Sequence, residues 1–417
     1  MDTESATLPK SDGPSTSPAE LDKVEKNQTG ILLAVVILAY TGQMILNPIL
    51  APLARTLGME EWSVGAIISV AALMFTLFSR FWGPYAQRTG ARRVLMISML
   101  GGFVALGSFA AVVFAADRGL IAGFWLVFGA IATRGLLYGC SISGVMPAAQ
   151  YHLVSRCETE EDRVKSVGTL GAMNGLSGIL GSIAGGALSM IGGLMLPLGV
   201  MPLLMLVAFA VVALAFKPRA IKTEQSEPRK VRYFDPRVLP FLLAGFVLFL
   251  SFSSLQSVFG FMIQDRLGLD ATSTAGYTAG IMILTSVTMI LFQGVIAPRM
   301  KLSARRMLRV GFALIVASFA LFIAASTLPL IAAASILIAA GCGFAMPGYN
   351  AGPTMNVEPE EQGGLAGLIM SNNGLTYIIA PLLSTSLYGL NPLAPFALSL
   401  VLVVAGFVLC LVHPRLR

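Results

Sequence analysis

Runs of 18 or more mostly apolar residues recur from Ile31 to Val412, divided by short segments that carry glycine, proline and charge. Each run is long enough to cross a hydrocarbon layer of roughly 30 Å at about 1.5 Å rise per residue. Runs and breakers together predict spans at 29–53, 62–83, 93–115, 121–151, 166–190, 195–216, 238–264, 273–297, 307–327, 329–352, 364–388 and 392–412. The chain is thus expected to be an all-α membrane protein with twelve transmembrane helices. The fourth and sixth spans contain Gly and Pro, which a membrane helix tolerates where its neighbours satisfy the freed backbone groups.

Charge decides the orientation. With twelve spans, one side of the membrane holds Arg88, Arg92, Arg93, Arg156, Arg163, Lys165, seven basic residues of segment 217–237, Arg299, Lys301, Arg305 and Arg306. The other holds Arg55, Arg118 and Arg266. Basic loops stay cytoplasmic, so both termini are expected on that side. Segment 1–28 is polar and poor in large apolar residues and is expected to be disordered. Segment 217–237 reads as a cytoplasmic linker between bundles 29–216 and 238–412, and 413–417 as a short cytoplasmic tail.

Of the 417 residues, 56% are hydrophobic and 12% charged, against about a quarter charged in soluble domains. The net charge of +7 lies in loops rather than on one soluble face, so it reports topology and no nucleic-acid partner. The cysteines show no extracellular spacing pattern and are expected to be free thiols. No phosphate-binding loop, metal-ligand spacing or nucleophile motif is visible, so no cofactor, metal or enzymatic activity is expected.

Folding the sequence on itself at about 200 residues aligns more than hydropathy. Gly83 precedes Arg88 by five residues, as Gly294 precedes Arg299, and Ala91-Arg92-Arg93 matches Ala304-Arg305-Arg306 after two extra residues. Gly139 and Pro147 match Gly341 and Pro347, and Asn174-Gly175-Leu176 matches Asn373-Gly374-Leu375. Two related six-span units around a central cavity are a transporter architecture, with the solute site near the midplane.

The loop residues Gly83, Arg88, Gly90, Arg92 and Arg93 resemble the signature between spans two and three of the major facilitator superfamily, with Gln87 where that family usually carries Asp. The resemblance covers residues 29–412. Asn47, Pro48 and Pro52, Arg134 with Tyr138 and Gly139, and Gly178, Gly181, Ser182, Gly185 and Gly186 look like the drug:proton antiporter branch. It implies a small-molecule substrate, protons as the coupling ion, a cytoplasmic loop gate at residues 83–93, and an Arg134 that takes part in proton coupling.

Arg134 is the one charged side chain placed well inside a span, and an intramembrane charge is a functional candidate because of its cost. It holds a bundle together, couples protons, or holds an anionic solute. No Asp or Glu lies well inside a span; Asp265 and His152 are the nearest titratable groups, read as interfacial. Tyr40, Gln43 and Asn47 share one face of span one at i, i+3 and i+7, and Arg134 and Tyr138 share a face of span four. In the second half Gln256, Asn350, Asn373 and Tyr377 offer neutral hydrogen-bonding groups. Gly178, Gly181, Gly185 and Gly186 form a close-packing face of span five. The expected protein is a monomeric exporter of a small amphipathic or anionic organic compound in a bacterial inner membrane, in contact with lipid. An organic-anion uptake carrier and a membrane sensor with the same fold are the alternatives.

Overall fold

The apolar runs fold as helices whose amides bond within their own turns, the arrangement that hydrocarbon demands. The computed structural model describes residues 18–156, 160–217, 232–358, 361–414 and 416, with 18–26, 160–165, 167 and 168 described by backbone alone. The first half comprises α1 (Pro18–Met44), α2 (Leu50–Thr56), α3 (Glu61–Thr89), α4 (Ala91–Asp117), α5 (Gly123–Val154), α6 (Glu160–Gly192) and α7 (Met195–Leu214). The second comprises α8 (Leu239–Leu267), α9 (Ala271–Met300), α10 (Ala304–Ala324), α11 (Leu328–Asn356), α12 (Gln362–Leu390) and α13 (Ala394–Val412). Among the described residues eleven helices, α3 to α13, are long and apolar enough to cross a membrane. The first predicted span, 29–53, falls on α1 and α2.

The two halves repeat one packing scheme. In the first, α1 packs on α6, α3 on α5, and α4 on α7; in the second, the corresponding pairs are α8 with α12, α9 with α11, and α10 with α13. The internal repeat read from a few loop and glycine positions is therefore carried by the helix packing itself.

Three sequence expectations change. Of segment 1–28, expected to be disordered, residues 18–28 are helical and 1–17 lie outside the described residues. Gln28 accepts from the Lys217 amide (2.7 Å) and donates to the Ala215 carbonyl (3.3 Å), tying the start of the bundle to the end of α7. Span one is broken between Met44 and Leu50. Pro48 has no amide to donate and its ring excludes the carbonyl four residues back. The chain crosses the gap with tightened bonds from Leu46 to Gln43 and Asn47 to Met44. Asn47 thus leaves the helical face of Tyr40 and Gln43. Cys140, Cys342 and Cys410 are free, and Cys157 lies outside the described residues, as do 218–231 of the linker.

Small residues set how closely helices approach. A Cβ on Gly139 would lie 2.6 Å from the Ala71 carbonyl oxygen, so α5 rests directly on the backbone of α3. Gly186 would meet the Ala279 Cβ at 2.5 Å, and Gly181 and Gly185 sit against Met44 and Ile45. Gly178 differs: nothing lies within 4 Å of a Cβ there, so the close-packing face of α6 consists of Gly181, Gly185 and Gly186. At Gly90, φ is +87°, a value L side chains rarely adopt, and the chain turns there between α3 and α4.

Overpacking costs about 1–3 kcal/mol where backbone cannot yield. Gly139→Val is expected to lower the unfolding midpoint of the detergent-solubilised protein, whereas Gly178→Ala leaves it unchanged or raises it. Equal midpoints for the two variants would contradict the close α3–α5 approach.

Candidate functional site

The site is built where α5 departs from regular winding. Residues Ile131–Leu137 form a wide π-turn, a local distortion that recurs at functional positions. Arg134 lies inside it and is 8% exposed. Gly135 and Gly139 press α5 onto α3, since a Cβ on Gly135 would meet Val70 at 3.1 Å. Arg134 and Tyr138 stand one turn apart, with the guanidinium carbon 4.4 Å from the Tyr138 ring centroid. Such a cation over a ring face is worth about 2 kcal/mol when desolvated. The Tyr138 hydroxyl lies 3.4 Å from the Gln43 side-chain oxygen on α1, which also contributes the buried Tyr40. Arg134 makes no hydrogen bond or ion pair to any described residue, and its buried Nε has no partner.

Four predicted residues are thus brought together: Arg134, Tyr138, Gln43 and Tyr40. Asn47 is not among them; its amide turns back to the Met44 sulfur at 3.1 Å. In the second half, Gln256 and Asn350 are exposed, Tyr377 is half-buried with its ring 6.5 Å from that of Phe249, and Asn373 accepts from the Tyr349 hydroxyl at 3.2 Å.

The buried polar centre of that half lies one residue away from the predicted positions. Asn372, 1% exposed, donates to the Leu242 carbonyl (3.0 Å) and to the Tyr349 hydroxyl (3.1 Å), and accepts from Tyr233 (2.7 Å). Both amide hydrogens and the carbonyl are therefore used. Tyr233 lies outside the spans, and burial raises its phenol above the ordinary range, so it stays a donor. Beside it, Arg237 bonds Asp235 and reaches Glu361 through two 3.0 Å contacts, fastening the linker's end to the start of α12. The Asn372-Asn373 pair was visible in the sequence; which member is buried depends on how α12 is rotated.

At the other end of the molecule a charged cluster joins the halves. Arg55 of α2 makes a two-pronged bond to Asp265 of α8 and a 3.1 Å contact to Glu61 of its own half. Asp265 also accepts from Tyr388 of α12 at 2.7 Å. Below the cluster Ser69 accepts from the Leu382 amide at 3.1 Å, and a Cβ on Gly374 would touch Thr76 at 3.3 Å. The seam between halves runs along α3 with α12 and α6 with α9, with α2 against α8 and α9. Its side-chain and close backbone contacts among the described residues lie on the Arg55 side of Thr76 and Ser182.

The loop residues behave unequally. Gly90 makes the turn, and Arg92 donates to the carbonyls of Ala213 (2.6 Å) and Val212 (3.5 Å) at the end of α7, where a cation complements the helix dipole. Arg88 and Arg93 are exposed, and Gly83 has open space around it. Among the described residues no group of three or more His, Cys, Asp or Glu side chains could hold a metal ion.

Two repeated bundles of membrane-spanning helices, sealed at one end and enclosing a buried charge, define a solute carrier. A sequence profile of the Major Facilitator Superfamily matches residues 32–327 and 300–416. The tetracycline resistance protein, class B, of Escherichia coli is 26% identical over 379 residues, covering 87% of this chain and 88% of that protein. The solved structure of the nucleoside transporter NupG superposes with a TM-score of 0.70 at 15% identity, over 92% of this chain and 97% of that one. The human organic anion transporter MFSD10 superposes at 0.63 with 17% identity, over 92% and 99%; at these identities the two structures speak for the fold alone. The chain belongs to the Major Facilitator Superfamily and is a multi-pass membrane transporter, not an enzyme.

Neutralising Asp265 should loosen the sealed end. With spin labels at the exposed Leu120 and Leu390, Asp265→Asn is expected to broaden the inter-label distances toward longer values than in the parent. An unchanged distribution would show that the ion pair does not hold the halves together. Asn372→Ala, which removes the acceptor of the Tyr233 hydroxyl and the donors to the Tyr349 hydroxyl and the Leu242 carbonyl, is expected to lower stability by roughly 1–2 kcal/mol in a denaturant titration.

Proposed function

We propose that the protein is a secondary active exporter that moves a small amphipathic or anionic organic compound out of the cytoplasm, using the proton gradient. The bundles 29–216 and 238–412 rock about the seam, with 217–237 as a cytoplasmic linker and both termini cytoplasmic, in a bacterial inner membrane. The observation that carries this reading is the one-ended seam around Arg134. The halves touch from the Arg55–Asp265 cluster down to Thr76 and Gly374, while the other end carries the exposed Arg88 and Arg93. By the distribution of basic loops that end faces the cytoplasm, so the described state is inward-open.

Several features support alternating access. The seam includes close helix approaches at Gly65, Gly186, Gly260 and Gly374 and a few polar bonds, contacts that can separate without breaking a helix. The paired helices α3 with α12 and α6 with α9 exchange under the internal repeat, which makes the same contacts available for closing the opposite end. Export is supported by similarity to a tetracycline resistance protein and by the antiporter-like residues of α1, α5 and α6.

In inverted membrane vesicles the transported compound is expected to accumulate only with an imposed proton gradient. Arg134→Ala is expected to reduce that accumulation at least about tenfold, the loss of one charge-assisted contact, without lowering the unfolding midpoint. Undiminished accumulation by the variant would remove Arg134 from the transport cycle.

A further inference from the structure

We infer that the compound carried by this protein bears a single carboxylate, held edge-on by the Nε and one terminal nitrogen of Arg134 and flanked by Gln43. The inference rests on the transport reading and specifies its substrate class.

Arg134 is more than nine-tenths buried, yet makes no ion pair and no hydrogen bond to any described residue. A guanidinium taken out of water without a counter-charge is destabilising, and natural sequences keep such groups where a ligand completes them. The geometry narrows which ligand. Tyr138 covers one face of the guanidinium at 4.4 Å, leaving the in-plane edges for an anion. The edge presenting the orphaned Nε is the one whose two parallel N–H groups match the two oxygens of a carboxylate. Gln43 stands beside it: its oxygen faces the Tyr138 hydroxyl, and its amide nitrogen has no partner among the described residues, so it can donate to the same oxygens.

Charge balance sets the valence. Arg55 is spent on Asp265 and Glu61, Arg92 on the end of α7, and Arg266 on the carbonyls of Phe322 and Ala325, while Arg309, near the start of α10, also has an unpartnered Nε but is only half-buried. The single positive charge of Arg134 matches a monoanion, whereas a dianion would bury a charge of its own. A lipophilic cation would add to the charge Arg134 already has.

The test uses the purified full chain in detergent with matched probes: salicylate and 1-naphthoate, their primary amides, and 1-naphthylmethylamine. Both carboxylates are expected to raise the unfolding midpoint, and the amides and the amine to leave it unchanged. Arg134→Met is expected to have a higher midpoint than the parent without ligand, because an uncompensated charge is gone, and to show no response to carboxylate. Arg134→Lys keeps the charge but not the fork, and is expected to bind carboxylate about tenfold more weakly. Equal stabilisation by amide or amine, an undiminished response in Arg134→Met, or no response to either carboxylate in the parent overturns the assignment. Proteoliposome flux separates the two readings. Flux of neutral or cationic compounds without carboxylate binding removes the carboxylate and leaves transport; carboxylate binding through Arg134 without flux removes transport and leaves the site.

Discussion

A peptide group in hydrocarbon has no water to bond, so each amide and carbonyl must find its partner inside the protein, and usually inside its own helix. The rest of this structure follows from how that demand is met and where it is relaxed. Relaxation occurs at Pro48, where α1 gives way to α2, and at the wide turns Ile131–Leu137 and Phe292–Ile296. The turn in α5 carries Arg134, and the break at Pro48 abuts Gly185 of α6.

The same scarcity of polar partners makes the few polar contacts decisive. In the second half, Asn372 gathers Tyr233, Tyr349 and the Leu242 carbonyl into a satisfied network that ties the linker's end to α8, α11 and α12. Between the halves, Arg55, Asp265 and Tyr388 make a charged seal, backed by close helix approach at Gly186 and Gly260. Around Arg134, by contrast, the polar demand is left open. The two halves are alike in packing and unlike in chemistry: a saturated amide network in one, an unpaired charge in the other.

The helices, the repeat and the lone charge were legible along the chain because hydrophobic length and charge depth are local properties. Every predicted span from 62–83 onward falls on a helix, and the matched positions of the two halves lie in equivalent helix pairs. The site was only half legible. Tyr40 and Gln43 follow from spacing on α1, and Arg134 and Tyr138 from spacing on α5, where the wide turn Ile131–Leu137 leaves the two one turn apart. Asn47 misled because Pro48 ends the helix that spacing assumed. Asn350 and Asn373 were singled out beside Tyr349 and Asn372, because a one-residue rotation exchanges buried and exposed faces and nothing local reports it.

What the sequence determined alone is a membrane protein of two related bundles, with basic loops on one side and a single intramembrane arginine. Those properties depend on composition and on order along the chain. Only the tertiary structure decided that Arg55 and Asp265, 210 positions apart, close one end, that Gly178 is left out of the packing face beside Gly181, and that Arg134 has no hydrogen bond or ion pair among the described residues. Each depends on which helices meet and at what rotation, a choice settled by packing over the whole bundle rather than by any segment of it.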